Sequence, residues 1–309
     1  MKRLRLILAL LFGMLWLMGS VLLLWAQQDD VAWAEPINLS QSGGTTNPIQ
    51  VMDNSGALHV FWQDNYLDAY VYQQNEAGVW SAPITVTVPF TTTVPRLLFD
   101  HDNRLHAVWR YAKDGNDTSV KYSSVPITGV ANFVDWAPVQ TVASAAADLD
   151  VALDSEGQVH LLYAQSEETA RMPAGIYHTT IEAFGAQQWL TPTLLYESPY
   201  FRDLEEVNAN VELLTAVSGN DSWLLAAWDN RPRKQLFFAR SGNGGEEWEA
   251  PIEVVGPESG SSAVAPFNIQ MAVKMTMYYW FGIKGSQMCV ASSMQCHPQT
   301  WEFPGATVS

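Results

Sequence analysis

Guanidinium groups and carboxylates are the most chemically capable side chains of this sequence. Arg96, Arg110, Arg202 and Arg231 carry planar forks suited to two-point recognition of a carboxylate or phosphate, and Asp229 stands two residues before the last of them. These five, Arg96, Arg110, Arg202, Asp229 and Arg231, are the ligand-binding candidates. Tyr200 opens the run Tyr200-Phe201-Arg202-Asp203-Leu204-Glu205-Glu206. Its phenol and the Glu205 and Glu206 carboxyls are the groups able to take part in proton transfer or nucleophilic attack. His59, His106 and His160 recur at equivalent places, a regularity that reads as packing between repeated units rather than catalysis or metal binding. No metal site and no cofactor are expected: near Cys289 and Cys296 only His297 could assist, and a zinc site wants four ligands. The two cysteines either close a short disulfide loop, in an oxidising compartment, or remain buried thiols.

What must position these residues is a repeat. Asp53-Asn54-Ser55-Gly56-Ala57-Leu58-His59-Val60-Phe61-Trp62 returns as Asp100-His101-Asp102-Asn103-Arg104-Leu105-His106-Ala107-Val108-Trp109. It returns again as Asp154-Ser155-Glu156-Gly157-Gln158-Val159-His160-Leu161-Leu162-Tyr163. A worn fourth copy ends Leu225-Ala226-Ala227-Trp228, and a fifth keeps only the strand ending Tyr278-Tyr279-Trp280. A second marker, Trp followed by Pro two or three residues later, begins at Trp80, Trp136, Trp189, Trp248 and Trp301, at intervals of 53 to 59 residues. Two markers in fixed alternation define five repeats of about 50 residues. Apolar and β-branched runs bounded by Asp, Asn, Gly and Pro make each repeat strand-like. In the first repeat strands are predicted near Ile49–Met52, Leu58–Gln63, Ala69–Gln74 and Trp80–Val86. Four antiparallel strands in a repeat of this length are the signature of a propeller blade, with Gly or Asn supplying the positive φ of the first hairpin. The fold class is therefore all-β, a β-propeller of four-stranded antiparallel blades over residues 35–309.

The fourth repeat contains Ser241-Gly242-Asn243-Gly244-Gly245-Glu246-Glu247-Trp248. This resembles the Asp box, Ser-x-Asp-x-Gly-x-x-Trp, with Asn243 in place of Asp; Asn75 to Trp80 is a shortened relic. The chain is similar in this respect to the BNR-repeat β-propellers, the superfamily of the sialidases. The resemblance implies a structural role for Ser241, Asn243, Gly245 and Trp248, whose side chains tie their own turn. It also implies that the face carrying the second-to-third strand turns and the interblade connections is the functional one. That face holds Arg96, the loop from Arg110 to Asp117, the segment from Tyr200 to Glu206, and Asp229-Asn230-Arg231. A sialidase needs an arginine cluster for the sugar carboxylate, a general acid and a Tyr–Glu nucleophile pair, roles open to Arg96, Arg110, Arg202, Arg231, Tyr200 and Glu205 or Glu206. The family's Phe-Arg-Ile-Pro motif is missing, since Phe201-Arg202-Asp203-Leu204 matches its first two residues alone and in the wrong repeat. The expected function is a non-catalytic propeller binding a glycan or protein through this loop face; the alternatives are an exo-sialidase and a degenerate fragment without activity. Glu35-Pro36-Ile37-Asn38-Leu39-Ser40 reads as a further strand. Five visible blades then mean a five-bladed ring with a strand to spare, or a six-bladed ring left incomplete.

Composition limits the partners. The 309 residues are 48% hydrophobic and 16% charged, ample for a core, and carry a formal net charge of -16. Such a surface repels nucleic acid and anionic headgroups. Lys2, Arg3 and Arg5 precede an uncharged run from Leu6 to Trp25, 20 residues long, and Ala32-Trp33-Ala34 offers small residues to a signal peptidase. Residues 1–34 are thus expected to be a hydrophobic helix acting as a cleaved signal peptide or a membrane anchor. The rest is secreted or membrane-anchored on the extracytoplasmic side, touching membrane only through that segment. Asn116-Asp117-Thr118 is a glycosylation sequon if the source glycosylates.

Overall fold

The computed structural model describes residues 35–90, 93–112, 118–181, 188–202, 204, 209–218, 221–254, 267–274, 277–284, 287–292 and 295–297. By its contacts the chain divides into Met1–Gln41 and Ser42–Ser309. Of the first unit residues 35–41 are described. They form no strand, and Ile37 stands 69% exposed. The strand expected at Glu35–Ser40 is therefore not there: Pro36 has no N–H to pair, and Asn38 Oδ1 instead accepts locally from the Ser40 hydroxyl and the Gln41 N–H. The hydrophobic helix expected over residues 1–34 lies outside the described residues.

The second unit is a succession of antiparallel four-strand meanders. Blade one comprises β1 (Thr45–Met52), β2 (Leu58–Asp64), β3 (Ala69–Glu76) and a fourth position shared by β4 (Val79–Trp80) and β5 (Ile84–Val86), both paired to β3. Blade two is β6 (Arg96–Phe99), β7 (Arg104–Arg110), β8 (Val120–Pro126) and β9 (Gln140–Ala143). Blade three is β10 (Ala146–Leu153), β11 (Val159–Gln165), β12 (Gly175–Thr180) and β13 (Thr193–Glu197). Blade four is β14 (Val211–Ser218), β15 (Asp221–Asn230), β16 (Gln235–Ser241) and β17 (Ile252–Val254). Blade five is β18 (Phe267–Lys274), β19 (Met277–Lys284), β20 (Gln287–Ser292) and β21 (Gln295–His297). The first three predicted strands of blade one are present, each a little longer. The fourth is split because Ser81-Ala82-Pro83 leaves the ladder, proline having no N–H to give it. Strands β1, β6, β10, β14 and β18 lie beside one another in sequence order, the inner-strand arrangement of a propeller.

The core is made in the seams between sheets. Phe61, Tyr72 and Phe90 of the first repeat pack with Trp109 and Trp136 of the second. Val108 and Tyr122 of blade two meet Leu161 and Tyr163 of blade three. Leu162 and Ile176 of blade three meet Trp228 and Phe237 of blade four, and Leu225 and Phe238 of blade four meet Ile269 of blade five. Alternation along the second strand explains this: adjacent residues such as Val108 and Trp109 point to opposite sheet faces and enter different seams.

The Trp of the second marker has a directional job. Trp136 packs edge-on to Phe90 at 5.7 Å, Trp189 edge-on to Tyr122 at 5.3 Å, and Trp248 edge-on to His178 at 5.0 Å. In each case a residue from one repeat covers the preceding one.

Candidate functional site at the loop face

Rigidity comes first, from a unit that the D-x5-H spacing repeats three times. Asp53 Oδ1 accepts from the backbone N–H groups of Ser55 and Ala57, both at 2.9 Å. Asp100 does the same for Asp102 and Arg104, and Asp154 for Glu156 and Gln158. Positive φ at Gly56, Asn103 and Gly157 closes these turns, as Asx turns require. The other oxygen of each carboxylate faces a buried imidazole: His59 Nε2 at 3.3 Å, His106 Nε2 at 2.9 Å and His160 Nε2 at 3.0 Å. A carboxylate accepts only, so Nε2 carries the proton and Nδ1 accepts. Its donor is the Tyr72 hydroxyl at 2.8 Å, the Tyr122 hydroxyl at 2.9 Å, or in blade three His178 Nε2 at 3.1 Å. Burial opposes the negative charge on all three aspartates, but the hydrogen bonds they accept win and hold them below their ordinary range. Burial pulls His178 down to about 3, keeping it neutral. The histidines do contribute to packing between blades, His59 meeting Phe99 at 4.9 Å, but their polar partners lie within their own blade. Blade four shows the apolar version, with Leu225 and Phe238 at the matching positions, both buried.

At the opposite end of the inner strands the acidic side chains of β10 and β14 face Arg96, the first residue of β6. Asp148 and Asp150 lie two apart on β10 and so share a side of the strand. Asp148 Oδ2 accepts from the Val211 N–H and Asp150 Oδ2 from the Leu213 N–H, each at 2.9 Å. Those donors belong to the edge of β14 turned away from β15, groups that a buried edge cannot leave unpaired. The two aspartates thus tie blade three to blade four. Arg96 Nε stands 3.3 Å from Asp150 Oδ1. Burial pushes Asp148 up to about 7, against the pull of the Val211 N–H and Arg96, and raises Asp150 as well. Glu212, the second residue of β14, is driven up to about 8 by burial first and then by the neighbouring charges of Asp150 and Asp148. The result is a partly buried polar cluster that retains protons near neutral pH. Among the described residues no group of His, Cys, Asp or Glu side chains is arranged to hold a metal ion.

A second network adjoins it through the entry to β14. The Asn210 N–H donates to Asp229 Oδ1 at 3.3 Å, while the next N–H, of Val211, goes to Asp148. Asp229 is fully buried and its Oδ2 takes a 2.8 Å bond from Arg231 Nε; Arg231 Nη2 reaches Asn210 Oδ1 at 3.2 Å. The Tyr200 hydroxyl accepts from the Arg231 backbone N–H, and burial together with the Asp229 charge lifts its pKa to about 12. Asn230 Nδ2 extends the network to Ser198 Oγ at 3.4 Å.

Of the sequence candidates, the structure therefore brings Tyr200, Asp229 and Arg231 together and puts Arg96 in the neighbouring carboxylate cluster. Arg202 forms an ion pair with Glu168, both largely exposed. Arg110 ends β7, its carbonyl accepting from the Thr93 hydroxyl. The ion pairs of Arg96, Arg202 and Arg231 involve three different carboxylates, Asp150, Glu168 and Asp229. Glu205, Glu206 and Asn116 lie outside the described residues. At the Ser241–Trp248 turn, Ser241 Oγ accepts from the Gly245 N–H at 3.0 Å and Asn243 Oδ1 from the Glu247 N–H at 3.0 Å, while Gly244 and Gly245 have positive φ. Backbone register seats Cys296 opposite Ala291, two residues along β20 from Cys289. Asp148, Asp150, Asn210 and Glu212 were not among the candidates; the signal they offered is the acidic residue inserted at alternate places in Ala147-Asp148-Leu149-Asp150-Val151 and Val211-Glu212-Leu213.

No protein-family model matches the chain, and no curated protein matches it. Among solved structures it is similar to a Hadza microbial sialidase, with 14% identity and a TM-score of 0.43, covering 68% of this chain and 45% of that one. It is also similar to a protein of unknown function from Dyadobacter fermentans, with 12% identity and a TM-score of 0.47, covering 81% and 79% of the two chains. A thermostable family-43 glycoside hydrolase is similar with 9% identity and a TM-score of 0.44, covering 89% of this chain and all of that one. The chain spans less than half the length of the sialidase.

Proposed function

We propose that this propeller binds a glycan outside the cytoplasm, at the loop-face end of its inner strands, and that Arg96, Asp148, Asp150 and Glu212 supply the polar contacts. The observation that carries the reading is the convergence of acidic side chains and one guanidinium from the inner strands of three successive blades. Such a set both donates to and accepts from sugar hydroxyls, and loops and strand ends on a rigid scaffold are where sites are built. The same set disfavours a strongly anionic sugar. A sialic acid carboxylate wants an arginine cluster free to receive it, and Arg96, Arg202 and Arg231 each already face a carboxylate of the chain. Calorimetric titration with neutral and sialylated oligosaccharides tests this: binding of a neutral probe weakened about tenfold by Asp148→Asn is expected. Binding confined to sialylated probes and abolished by Arg202→Ala overturns it.

Glycoside hydrolysis is the second reading, favoured by one observation: Glu212 and Asp148 keep a proton at about 8 and about 7. A carboxylic acid still protonated at neutral pH is what a general acid needs, and Asp150 beside it supplies a second carboxyl. Fluorogenic glycosides, neutral and sialylated, discriminate the readings. Turnover lost in Glu212→Gln supports hydrolysis, and binding without turnover supports the module. Export is proposed on the basic start and apolar run of residues 1–34, and cell fractionation with N-terminal sequencing checks it.

A further inference from the structure

The seam between blades three and four opens, at the end of the sheets away from the carboxylate cluster, into a cleft of about 670 Å³. One wall is the Asp154–Gln158 turn of blade three, with Thr191 and Thr193 leading into β13; the other is Ser222 and the Gly242–Glu246 turn of blade four. Its volume falls in the range of roughly 300–1,000 Å³ usual for small-molecule sites.

The floor is fixed. Gly245 lies so close over the His178 ring that a Cβ there would overlap it, and Ser241 and Asn243 pin the turn through the bonds given above. Against that floor the walls present groups the fold does not use. The side chains of Ser155, Glu156, Gln158, Thr191, Ser222 and Glu246 enter no hydrogen bond or ion pair among the described residues. Among the described residues no Lys or Arg lines the cleft, His178 is neutral, and Leu190 and Leu224 add a short apolar strip. The lining therefore offers hydroxyls, amides and two carboxylate acceptors with no cationic donor. It suits a ligand rich in O–H donors and without negative charge.

We infer that the cleft between blades three and four, formed by Glu156 and Thr191 on one side and Ser222 and Glu246 on the other, is a second binding site for a neutral oligosaccharide. It is independent of the carboxylate cluster at the loop face, so either site can fail alone.

The test is an amide-resolved NMR titration of the whole propeller with cellohexaose, maltohexaose and mannohexaose, beside sialyllactose and calcium chloride. At least one neutral probe is expected to shift the amides of Glu156, Thr191 and Gly244. The double substitution Glu156→Gln with Glu246→Gln should weaken that binding tenfold or more. Thr191→Trp, an exposed position whose new ring fills the cleft, should abolish it, and Asp148→Asn should leave it unchanged. The inference is overturned if no neutral probe shifts these amides, if calcium alone or sialyllactose produces the shifts instead, or if a natively folded Thr191→Trp protein still binds. Loss of the shifts in Asp148→Asn, with both cleft variants binding normally, assigns the ligand to the loop-face cluster and overturns it too.

Discussion

Replacing Glu212 by Gln should make stability less dependent on pH. The carboxyl of Glu212 titrates at about 8 in the folded chain against an ordinary 4.5, because burial and the charges of Asp150 and Asp148 oppose its ionisation. A pKa raised by folding contributes stability that is fully present below the unfolded value and is lost as pH rises through the folded one. The gap between 4.5 and about 8, at ~1.4 kcal/mol per pH unit, sets a ceiling of about 5 kcal/mol. Glu212 is only partly buried and shares its proton affinity with two aspartates, so solvent screening and coupling reduce the expected effect to about 2–3 kcal/mol. Urea unfolding followed by tryptophan fluorescence, at about pH 5 and about pH 9, reads it directly. Near pH 5 the variant and the parent should unfold together; near pH 9 the variant should be the more stable. A constant difference at both pH values, or a variant that loses stability faster than the parent as pH rises, would refute the reasoning.

Other outcomes follow from the same geometry. Asp100→Ala removes both a turn cap and the partner of His106, and should cost about 2–4 kcal/mol in chemical denaturation. Asp53, Asp100 and Asp154 are held below their ordinary values, so the stability they give is present above the unfolded pKa of 3.8 and should disappear as acid titration passes below it. His106→Leu alone strands Asp100 and the Tyr122 hydroxyl, whereas His106→Leu with Tyr122→Phe copies the Leu225–Phe238 pair of blade four. The double variant should therefore be no less stable than the single one, measured as a coupling of about 1 kcal/mol or more. Gly245→Ala meets the His178 ring and a positive φ of 84°, and a loss of about 2 kcal/mol or more is expected in thermal melts.

The blades were legible because their information is local. A hairpin that needs Asp, a positive φ and an alternating strand writes all three within ten residues, as Asp53 to Trp62 shows. The loop-face cluster was not legible because its members are distant: Val211 and Asp148 meet across 63 positions, and only inner-strand stacking brings Arg96 to them. Arginines were chosen for their chemistry, yet three of them are neutralised by carboxylates that no spacing rule selects. The histidines are buried, as their regular spacing implies, and although the Asp partner is always six residues earlier, the Tyr72, Tyr122 or His178 partner comes from the next strand of the blade, 13 to 18 positions away. The meaning of the Trp marker, too, lay in a neighbour: Trp189 is explained by Tyr122 of the blade before.

That backward reach of Trp136, Trp189 and Trp248 sets where the molecule can be divided. A sheet counted from its inner strand to its outer one is a geometric unit but not a self-sufficient one, since the tryptophan that seals it arrives with the following repeat. The severable module instead begins and ends inside a sheet, just after a Trp. Fragments cut there, such as one ending beyond Trp189, keep blade two sealed, whereas fragments ending at β9 expose Tyr122 to water. Repeat proteins melt by losing neighbour interfaces one at a time. Here those interfaces are polarised, so opening should run from the C-terminal side of each seam toward the N-terminal side, a vectorial unzipping that a ring of symmetric contacts would not show.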